Sequence, residues 1–296
     1  MTSIEERFTA SSGRLKGLAY RMLGSRADAE DVVQDAYLRL RKADGRKIRN
    51  VEAFLMTTVT RLCLDQLKSA RAQREVYVGP WLPEPVLDAE SLSPGAATEI
   101  ADDLSFALLL VLEKLSAPER AAFLLHDVFD TPYARIAESL GKSEAACRQL
   151  AARARKAVRS AKSARPVAPE AHETLLAKFA EAVATGDASG IESLLTADAV
   201  VYSDGGGVKI AALRPILGAN RVARFFAGIV RKHRARGGTS RFEATEINGS
   251  PGLLCYIDGA LDQTISIDVD DGRIAAIYMV RNPHKLTAVG GGATTH

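Results

Sequence analysis

The chain has 296 residues and carries 39 Lys and Arg against 36 Asp and Glu, a length that predicts two or three domains. Its longest apolar run, FALLLVL at 106–112, is too short to cross a bilayer. Its three cysteines lie far apart without metal-ligand spacing. We therefore expect a cytoplasmic protein with no membrane span, metal or cofactor.

The net charge of +3 conceals an uneven distribution along the chain. Residues 1–165 contain 26 basic and 22 acidic residues, which leaves 13 and 14 for the rest of the chain. The excess is largest between residues 135 and 165, where nine basic residues accompany two acidic ones. Such a concentration is typical of a surface that binds a polyanion such as nucleic acid.

Residues 1–75 are predicted to form a helical domain. Between residues 25 and 43 apolar residues recur at helical spacing, while aspartates line another face of the same helix. A polar, basic break at 41–50 separates this helix from a second amphipathic helix at 51–73. Considered alone, an acidic helix face is most often solvated surface.

Residues 76–101 are predicted to be a linker, because Gly, Pro and Ser interrupt any periodicity. The linker contains the chain's one tryptophan, Trp81, within the stretch GPWLPEP at 79–85. An exposed aromatic ring in an irregular segment promotes association. We therefore expect Trp81 to pack against another part of the chain or against another protein.

Residues 102–165 are predicted to be helical, with clear signals at the helix ends. SAPE at 116–119 has the pattern of a capping box. In TPY at 131–133, Thr is expected at the N-cap and Pro at the first helical position. Gly141 should end that helix and Ser143 should cap the next. The result is the length and turn of a helix-turn-helix.

The second helix of this motif is where DNA contact is easiest to argue. Arg148 and Gln149 are expected to face outward, where they can make bidentate contacts with guanine and adenine. Basic residues further along are better placed for phosphates. The alternative is a solvated basic helix on a helical bundle. The predicted DNA-contacting residues here are Ser143, Glu144, Ala145, Arg148, Gln149, Arg153, Arg155 and Lys156.

Residues 166–286 change character and are predicted to form an α+β domain. Helical patterns at 173–185 and 220–235 bracket one short strand, and four further strands follow in succession. DDG at 270–272 predicts a hairpin turn between the last two strands. The tail at 287–296 is predicted to be disordered.

Three stretches, at 28–40, 53–71 and 115–155, together resemble the second and fourth conserved regions of extracytoplasmic-function (ECF) sigma factors of the sigma-70 class. The resemblance implies a protein that recruits the RNA polymerase core to promoters. The helix at 28–40 would dock on the clamp of the β′ subunit, and the fourth region would contact the β flap. The polymerase-binding residues that it implies are Asp28, Asp31, Gln34 and Asp35.

The resemblance also implies which segments contact the promoter. The basic break and the following helix, about 42–74, would read and melt the minus-ten element, and the helix after Ser143 would read the minus-thirty-five element. A polar, basic loop suits a flipped base and its phosphates. The minus-ten residues implied in that loop are Arg46, Lys47, Arg49 and Asn50.

Residues 166–286 resemble SnoaL-like domains, which are cone-shaped α+β folds related to nuclear transport factor two and ketosteroid isomerase. A subgroup of ECF sigma factors carries such a domain and is marked by WLPEP, DGGGK and NPDKL; here these read WLPEP, DGGGVK and NPHKL. The resemblance implies a built-in regulator in place of a separate anti-sigma factor. Its expected interdomain residues are Trp81, Leu82, Pro83, Glu84, Pro85, Asp204, Gly205, Gly206, Gly207, Lys209, Asn282, Pro283, Lys285 and Leu286.

The sequence leaves catalysis by the C-terminal domain as an alternative. Asp204, His233, Asp258 and Asp262 are nominal acid or base candidates, but the sequence forces no two of them together, so we predict a non-catalytic domain. Asp204 beside three glycines fits better a loop that another backbone approaches closely. The rival hypotheses are an isomerase, cyclase or sensor of an unidentified small ligand fused to a DNA-binding module, and a conventional helix-turn-helix regulator.

Overall fold

The computed structural model describes residues 4–43, 48, 50–93, 103–161 and 168–290. The chain divides into two compact units, and each is described separately. The first combines Met1–Glu75 with Asp88–Ala161, and the second combines Val76–Leu87 with Lys162–His296. Within the described ranges, every helix is too short or too polar to span a membrane.

The first unit is entirely helical in its described part. Ser25 caps its second helix by accepting a hydrogen bond from the Asp28 amide at 3.2 Å, and the apolar stripe of that helix is buried as predicted. Its helices are α1 (Ile4–Leu23), α2 (Arg26–Lys42), α3 (Val51–Glu75), α4 (Phe106–Lys114), α5 (Ala117–Phe123, continued by a π-helical turn at Leu124–Val128), α6 (Tyr133–Leu140) and α7 (Glu144–Ala161), with a 3₁₀ turn at Glu90–Leu92.

The helix-turn-helix consists of α6 and α7, and most of its predicted caps are confirmed. Ser116 and Glu119 form the capping box at the start of α5. Gly141 ends α6 with a φ of 62°, a left-handed conformation that glycine adopts without a steric cost. The predicted start of α6 was wrong by one residue, because Pro132 is extended and itself serves as the N-cap.

The second unit is an α+β domain, which confirms the predicted fold class. Its elements are α8 (Pro169–Thr185), α9 (Ala188–Ser193), β1 (Leu195–Asp204), β2 (Ile216–Leu217), α10 (Ala219–Arg234), β3 (Ser240–Ile247), β4 (Ser250–Ile257), β5 (Ala260–Asp270), β6 (Arg273–Val280) and α11 (Pro283–Gly290). The sheet order is β2-β1-β6-β5-β4-β3. All neighbours are antiparallel except β1 and β6, which are parallel.

The core of this domain lies between the sheet and the helices α8 and α10. Phe179 of α8 and Phe226 of α10 meet edge to face with ring centroids 5.2 Å apart, an arrangement that aromatic quadrupoles favour. Strand residues Ile265 and Ile277 are buried in the same cluster. The predicted DDG hairpin is confirmed, with Asp271 at a φ of 48°.

Two boundary predictions need correction. The linker 76–101 is not one segment, since residues 76–87 belong to the second unit and Asp88 begins the part that belongs to the first; residues 94–101 lie outside the described ranges. The tail is not disordered from residue 287, because α11 continues to Gly290 and buries Val289. Residues 291–296 lie outside the described ranges.

Candidate functional site

The orientation predicted for α7 is confirmed by its burial. Cys147, Ala151, Ala154 and Val158 face the core of the helical unit and are at most 3% exposed. The predicted contact residues at the start of the helix are exposed on the opposite side: Ser143, Glu144, Ala145, Arg148 and Gln149. The helix therefore presents a polar outer face of the kind that enters a DNA groove.

Three arginines of α7 have partners inside the unit. Arg148 pairs with Glu144 at 2.7 Å and Arg153 pairs with Glu119 at 2.7 Å, both on the surface. Arg155 differs, since its side chain is 31% exposed and donates to Asp127 at 2.6 Å. Arg155, one of the predicted DNA-contacting residues, is therefore partly buried and paired within the helical unit. Lys156, next to it, is exposed.

The predicted polymerase and minus-ten residues are only partly within the described chain. Asp31, Gln34 and Asp35 are exposed on α2, while Asp28 is half-buried. Asn50 is exposed and caps α3 by accepting from the Ala53 amide at 3.0 Å. Arg46, Lys47 and Arg49 lie outside the described residues.

Helix α3 contacts α6 within the helical unit. The Thr57 and Ser139 hydroxyls are 3.0 Å apart, and Arg61 donates to the Glu138 carbonyl at 2.8 Å. The helix expected to read the minus-ten element thus packs against the first helix of the helix-turn-helix. This contact brings the two expected promoter-reading modules together.

In the α+β unit the linker is bound at the end of β1, where Asp204 lies fully buried. Two donors to its carboxylate come from the linker, the Tyr77 hydroxyl at 2.5 Å and the Leu82 amide at 2.9 Å. Two others, Lys285 Nζ at 2.7 Å and the Gly206 amide at 3.0 Å, belong to the domain itself. A buried ion pair is stable only when its remaining hydrogen bonds are satisfied, and here the linker supplies two of them and Gly206 a third.

Lys285 of α11 completes the same site from the other side. Its side chain is 9% exposed, and its ammonium group also donates to the Leu82 carbonyl. The ammonium lies 4.3 Å from the centroid of the Trp81 ring and 5.1 Å from that of Tyr77, within the range of cation–π attraction. Trp81 therefore packs against a cation of the α+β domain.

The glycines after Asp204 allow the loop and α11 to approach each other. Gly206 has a φ of 62°, and a Cβ atom there would lie 2.3 Å from Asn282 Nδ2. A Cβ on Gly205 would lie 2.2 Å from the Lys209 carbonyl oxygen. Asn282 uses the space to donate to the Tyr77 hydroxyl at 2.9 Å. Gly207 packs beside Val78 of the linker.

The far end of the docked linker is fixed at the turn between β3 and β4. Val86 and Asn248 exchange two hydrogen bonds, from the Val86 amide to Asn248 Oδ1 at 2.9 Å and from the Asn248 amide to the Val86 carbonyl at 2.7 Å. The prolines Pro83 and Pro85 between the two anchors are buried and Glu84 is half-buried. Because β1 and β3 are separated by three strands, the linker is anchored at two distant parts of the sheet.

Tyr77 and Asn248 were missed by sequence reasoning. Tyr77 precedes the WLPEP motif, and Asn248 carried only the turn signal of an Asn-Gly pair. Burial, and then the hydrogen bond to Asp204, raise the pKa of the Tyr77 hydroxyl well above its usual value. Tyr77 is therefore a neutral donor to the carboxylate throughout the physiological pH range.

Lys209, one of the expected interdomain residues, forms an ion pair within the α+β domain. Its ammonium pairs with Asp262 at 2.7 Å, and Arg281 pairs with the other oxygen of the same carboxylate at 2.8 Å. Although burial alone would raise it, the Lys209 hydrogen bond and the Arg281 charge hold the pKa of Asp262 below its usual value. Arg281 also connects to the linker site, because its amide donates to the Asp204 carbonyl at 2.7 Å. Pro283 begins α11, and Leu286 is buried on it.

A cavity of about 150 Å³ lies inside the α+β domain. Its lining is mostly apolar, and the polar residues that line it include His233, Asp262, Gln263 and Arg281. Of the other nominal catalytic residues, His233 also lines this cavity and lies 3.9 Å from the exposed Asp258, whereas Asp204 and Asp258 are not among the lining residues. Among the described residues, no cluster of three His, Cys, Asp or Glu side chains could hold a metal ion.

Comparison with known proteins identifies the family. Residues 8–73 match the family described as Sigma-70 region 2, and residues 105–158 match Sigma-70, region 4. The chain is 40% identical over 292 residues to the ECF RNA polymerase sigma factor SigJ of Mycobacterium tuberculosis, covering 95% of this chain and 92% of SigJ. It is 32% identical over 276 residues to the probable ECF RNA polymerase sigma factor SigI of the same organism, covering 92% and 91%.

A solved structure extends this similarity to the whole chain. The crystal structure of Mycobacterium tuberculosis SigJ matches with a TM-score of 0.75 at 37% identity, covering 96% of this chain and 98% of that chain. The match includes the C-terminal α+β domain as well as the helical unit. The chain therefore belongs to the extracytoplasmic-function RNA polymerase sigma factors of the sigma-70 class.

Proposed function

We propose that this sigma factor is regulated by its own C-terminal domain, which binds the linker between the two promoter-reading modules. As a sigma factor it recruits the RNA polymerase core and directs initiation at promoters through their minus-ten and minus-thirty-five elements. The observation that carries the regulatory proposal is the buried Asp204–Lys285 pair. Its hydrogen bonds are completed by Tyr77 and Leu82 of the linker.

The residues expected to contact promoter and polymerase are part of the proposal. Arg148 and Gln149 would read bases of the minus-thirty-five element, since both are exposed on the outer face of α7. Lys156 would contact phosphate. On α2, the exposed residues Asp31 and Gln34 support docking on the polymerase clamp.

The length of the linker supports the proposal that its docking on the α+β domain restrains initiation. The two promoter elements lie roughly 25 base pairs apart, about 85 Å at 3.4 Å per base pair, whereas α3 and α6 are in contact here. Fully extended, residues 76–101 span at most about 90 Å. The site at which the α+β domain binds residues 76–87 is called the linker dock, and binding there fixes nearly half of that length. Release of the linker would therefore help the modules to separate.

A ligand of the α+β domain would act through its differential affinity for the docked and released states. A ligand in the cavity could affect the linker site through Arg281. This residue lines the cavity, and the Arg281 amide also donates to the Asp204 carbonyl. A molecule that moves Arg281 would disturb the strand end that carries the dock. The ligand would then change transcription without contacting DNA.

We propose that the C-terminal domain has no catalytic role. A general base must be free to accept a proton near neutral pH, whereas Asp262 is paired with two cations and its pKa is lowered. Burial raises the pKa of the Cys255 thiol to about 11, so the nucleophilic thiolate is scarce at neutral pH. The part of the cavity around Asp262 and Cys255 is therefore better suited to binding than to proton transfer.

Run-off transcription with the core polymerase tests the regulatory proposal in the full chain. The double substitution Asp204→Leu/Lys285→Met removes the dock's charges without leaving one buried alone. We expect higher initiation than with the unchanged protein at equal occupancy of the core. Equal activity at every promoter tested would contradict the proposal, and lower activity would mean that docking supports initiation.

A further inference from the structure

We propose that helix α10 of the C-terminal domain is an additional contact surface for DNA backbone phosphates. The charge of this domain is strongly polarised along the chain. Residues 205–242 contain nine basic and no acidic residues, whereas the rest of 166–296 contains four basic and fourteen acidic ones. A single-sign field of this kind attracts a polyanion.

The fold collects much of this charge on one helix. Val222, Ala223 and Phe226 turn the apolar side of α10 into the domain's own core. Arg221, Arg224 and Arg231 follow at helical spacing and are exposed. With a rise of 1.5 Å per residue, the outer arginines of this row are about 15 Å apart along the helix.

Most of the exposed cations on and just after α10 lack an ion-pair partner among the residues that the structure describes. Within the part of the chain that the structure describes, none of five exposed residues forms an ion pair: Arg221, Arg224, Arg231, Lys232 and Arg236. On the recognition helix α7, by contrast, Arg148, Arg153 and Arg155 are all paired. Unpaired neighbouring cations repel each other, and that repulsion is relieved when a phosphate backbone binds.

The chemistry of the surface favours nucleic acid over a lipid membrane. A helix that binds membranes inserts its apolar face between the lipids, but the apolar face of α10 is already occupied by its own domain. Its outer face offers one large apolar side chain, Ile229, among the arginines. Guanidinium groups bind phosphate oxygens with two parallel hydrogen bonds, and this sigma factor already binds promoter DNA.

This surface is separate from the linker dock. The dock uses the end of β1, the start of α11 and the linker, and no residue of α10 takes part in its hydrogen bonds. Loss of the α10 contact would therefore leave docking of the linker unchanged. The two proposals can fail independently.

The test is the salt dependence of DNA binding by the polymerase holoenzyme assembled with the full chain. In the triple variant Arg221→Gln/Arg224→Gln/Arg231→Gln, the plot of log affinity against log salt should become less steep. The magnitude of its slope should decrease by about 2.7, at about 0.9 for each lost phosphate contact. The loss should be the same for a promoter duplex and a scrambled duplex, because phosphate contacts carry no sequence information.

A matched control comes from α8, outside the basic segment 205–242 of the same domain. Lys178 is exposed on α8, and Lys178→Gln removes one positive charge outside the surface. We expect no change of slope for Lys178→Gln and a decrease of about 0.9 for the single variant Arg224→Gln. Arg224→Lys, which keeps the charge, should retain most of the slope.

Circular dichroism and thermal melting first establish that each variant is folded. An unchanged slope in the folded triple variant overturns the proposal, and the single variant Arg224→Glu gives the same test if the triple variant does not fold. Vesicles with and without phosphatidylglycerol provide a further check. The proposal would be overturned if the unchanged protein bound vesicles that contain phosphatidylglycerol and the triple variant did not, while the salt slope of DNA binding stayed the same. The surface would then be assigned to membranes.

Discussion

Replacing Asp204 with asparagine should release the linker from the α+β domain. The amide has nearly the shape of the carboxylate, so the change removes charge and little volume. It takes away the anion that neutralises buried Lys285 and the charged acceptor of two linker donors, the Tyr77 hydroxyl and the Leu82 amide. The domain would then contain a buried ammonium group beside a neutral amide.

The free-energy cost of Asp204→Asn can be estimated from these contacts. Breaking a buried ion pair by removing one partner costs about 3–5 kcal/mol, and a hydrogen bond to a charged group contributes about 1.5–3 kcal/mol. The two energies overlap because they share the Asp204 carboxylate, so we take about 3 kcal/mol as the minimum. That energy shifts the equilibrium between docked and released linker by about a hundredfold or more.

The fluorescence of Trp81 measures docking directly, because it is the chain's one tryptophan. In the docked state its half-buried ring lies beside the Lys285 ammonium. In Asp204→Asn we expect a red-shifted emission and stronger quenching by acrylamide. The control is Asp258→Asn, the same chemical change at a hairpin turn where the side chain is 63% exposed and has a positive φ that asparagine tolerates.

Unchanged emission and quenching in a folded Asp204→Asn protein would refute this reasoning. The double variant Asp204→Leu/Lys285→Met distinguishes loss of docking from loss of the domain. It leaves no buried charge, so its thermal stability should exceed that of Asp204→Asn. It should nevertheless release Trp81, because the linker donors lose their acceptor.

Other predictions concern DNA contact, helix packing and pH. Arg148→Ala should cost about 1–3 kcal/mol of binding free energy at one promoter position, whereas Lys156→Ala should weaken binding to all sequences. Mobility-shift assays with promoter variants measure both effects. An equal loss of affinity for every sequence in both variants would contradict the orientation of α7. Arg155→Ala breaks the pair with Asp127 and should lower the stability of the helical unit by about 1 kcal/mol in thermal melts. Burial lowers the pKa of His172 from 6.5, so stability should fall as pH decreases below that value, and His172→Gln should remove this dependence.

Local pattern was sufficient for most elements of the α+β domain. Strands β3 to β6 alternate in burial or carry β-branched residues, and turn signals separate them, so their positions follow from the sequence. The short elements α9, β2 and α11 were not predicted, because two to eight residues carry too little periodicity. Helix α11 is fixed instead by tertiary contacts, above all the buried ammonium of Lys285.

The linker dock could not be derived from local pattern. Leu82 and Asp204 are 122 positions apart, and no spacing rule joins them; the resemblance to a sigma factor subgroup named both. Trp81 alone indicated that a partner was needed. The buried face of α7 could be predicted from its 3.6-residue period. The ion pair of Arg155 could not be predicted in this way, because its partner Asp127 lies in the helical turn that follows α5.

The linker dock and the basic face of α10 together predict how the C-terminal domain responds to undocking. Because they share no residue, a released linker leaves the cations of α10 available to DNA. Asp204→Asn and the triple α10 variant should therefore have additive effects on promoter affinity, within about 0.5 kcal/mol. A larger coupling, measured by a double-mutant cycle in holoenzyme binding, would contradict this independence. It would mean that α10 engages DNA in only one state of the linker.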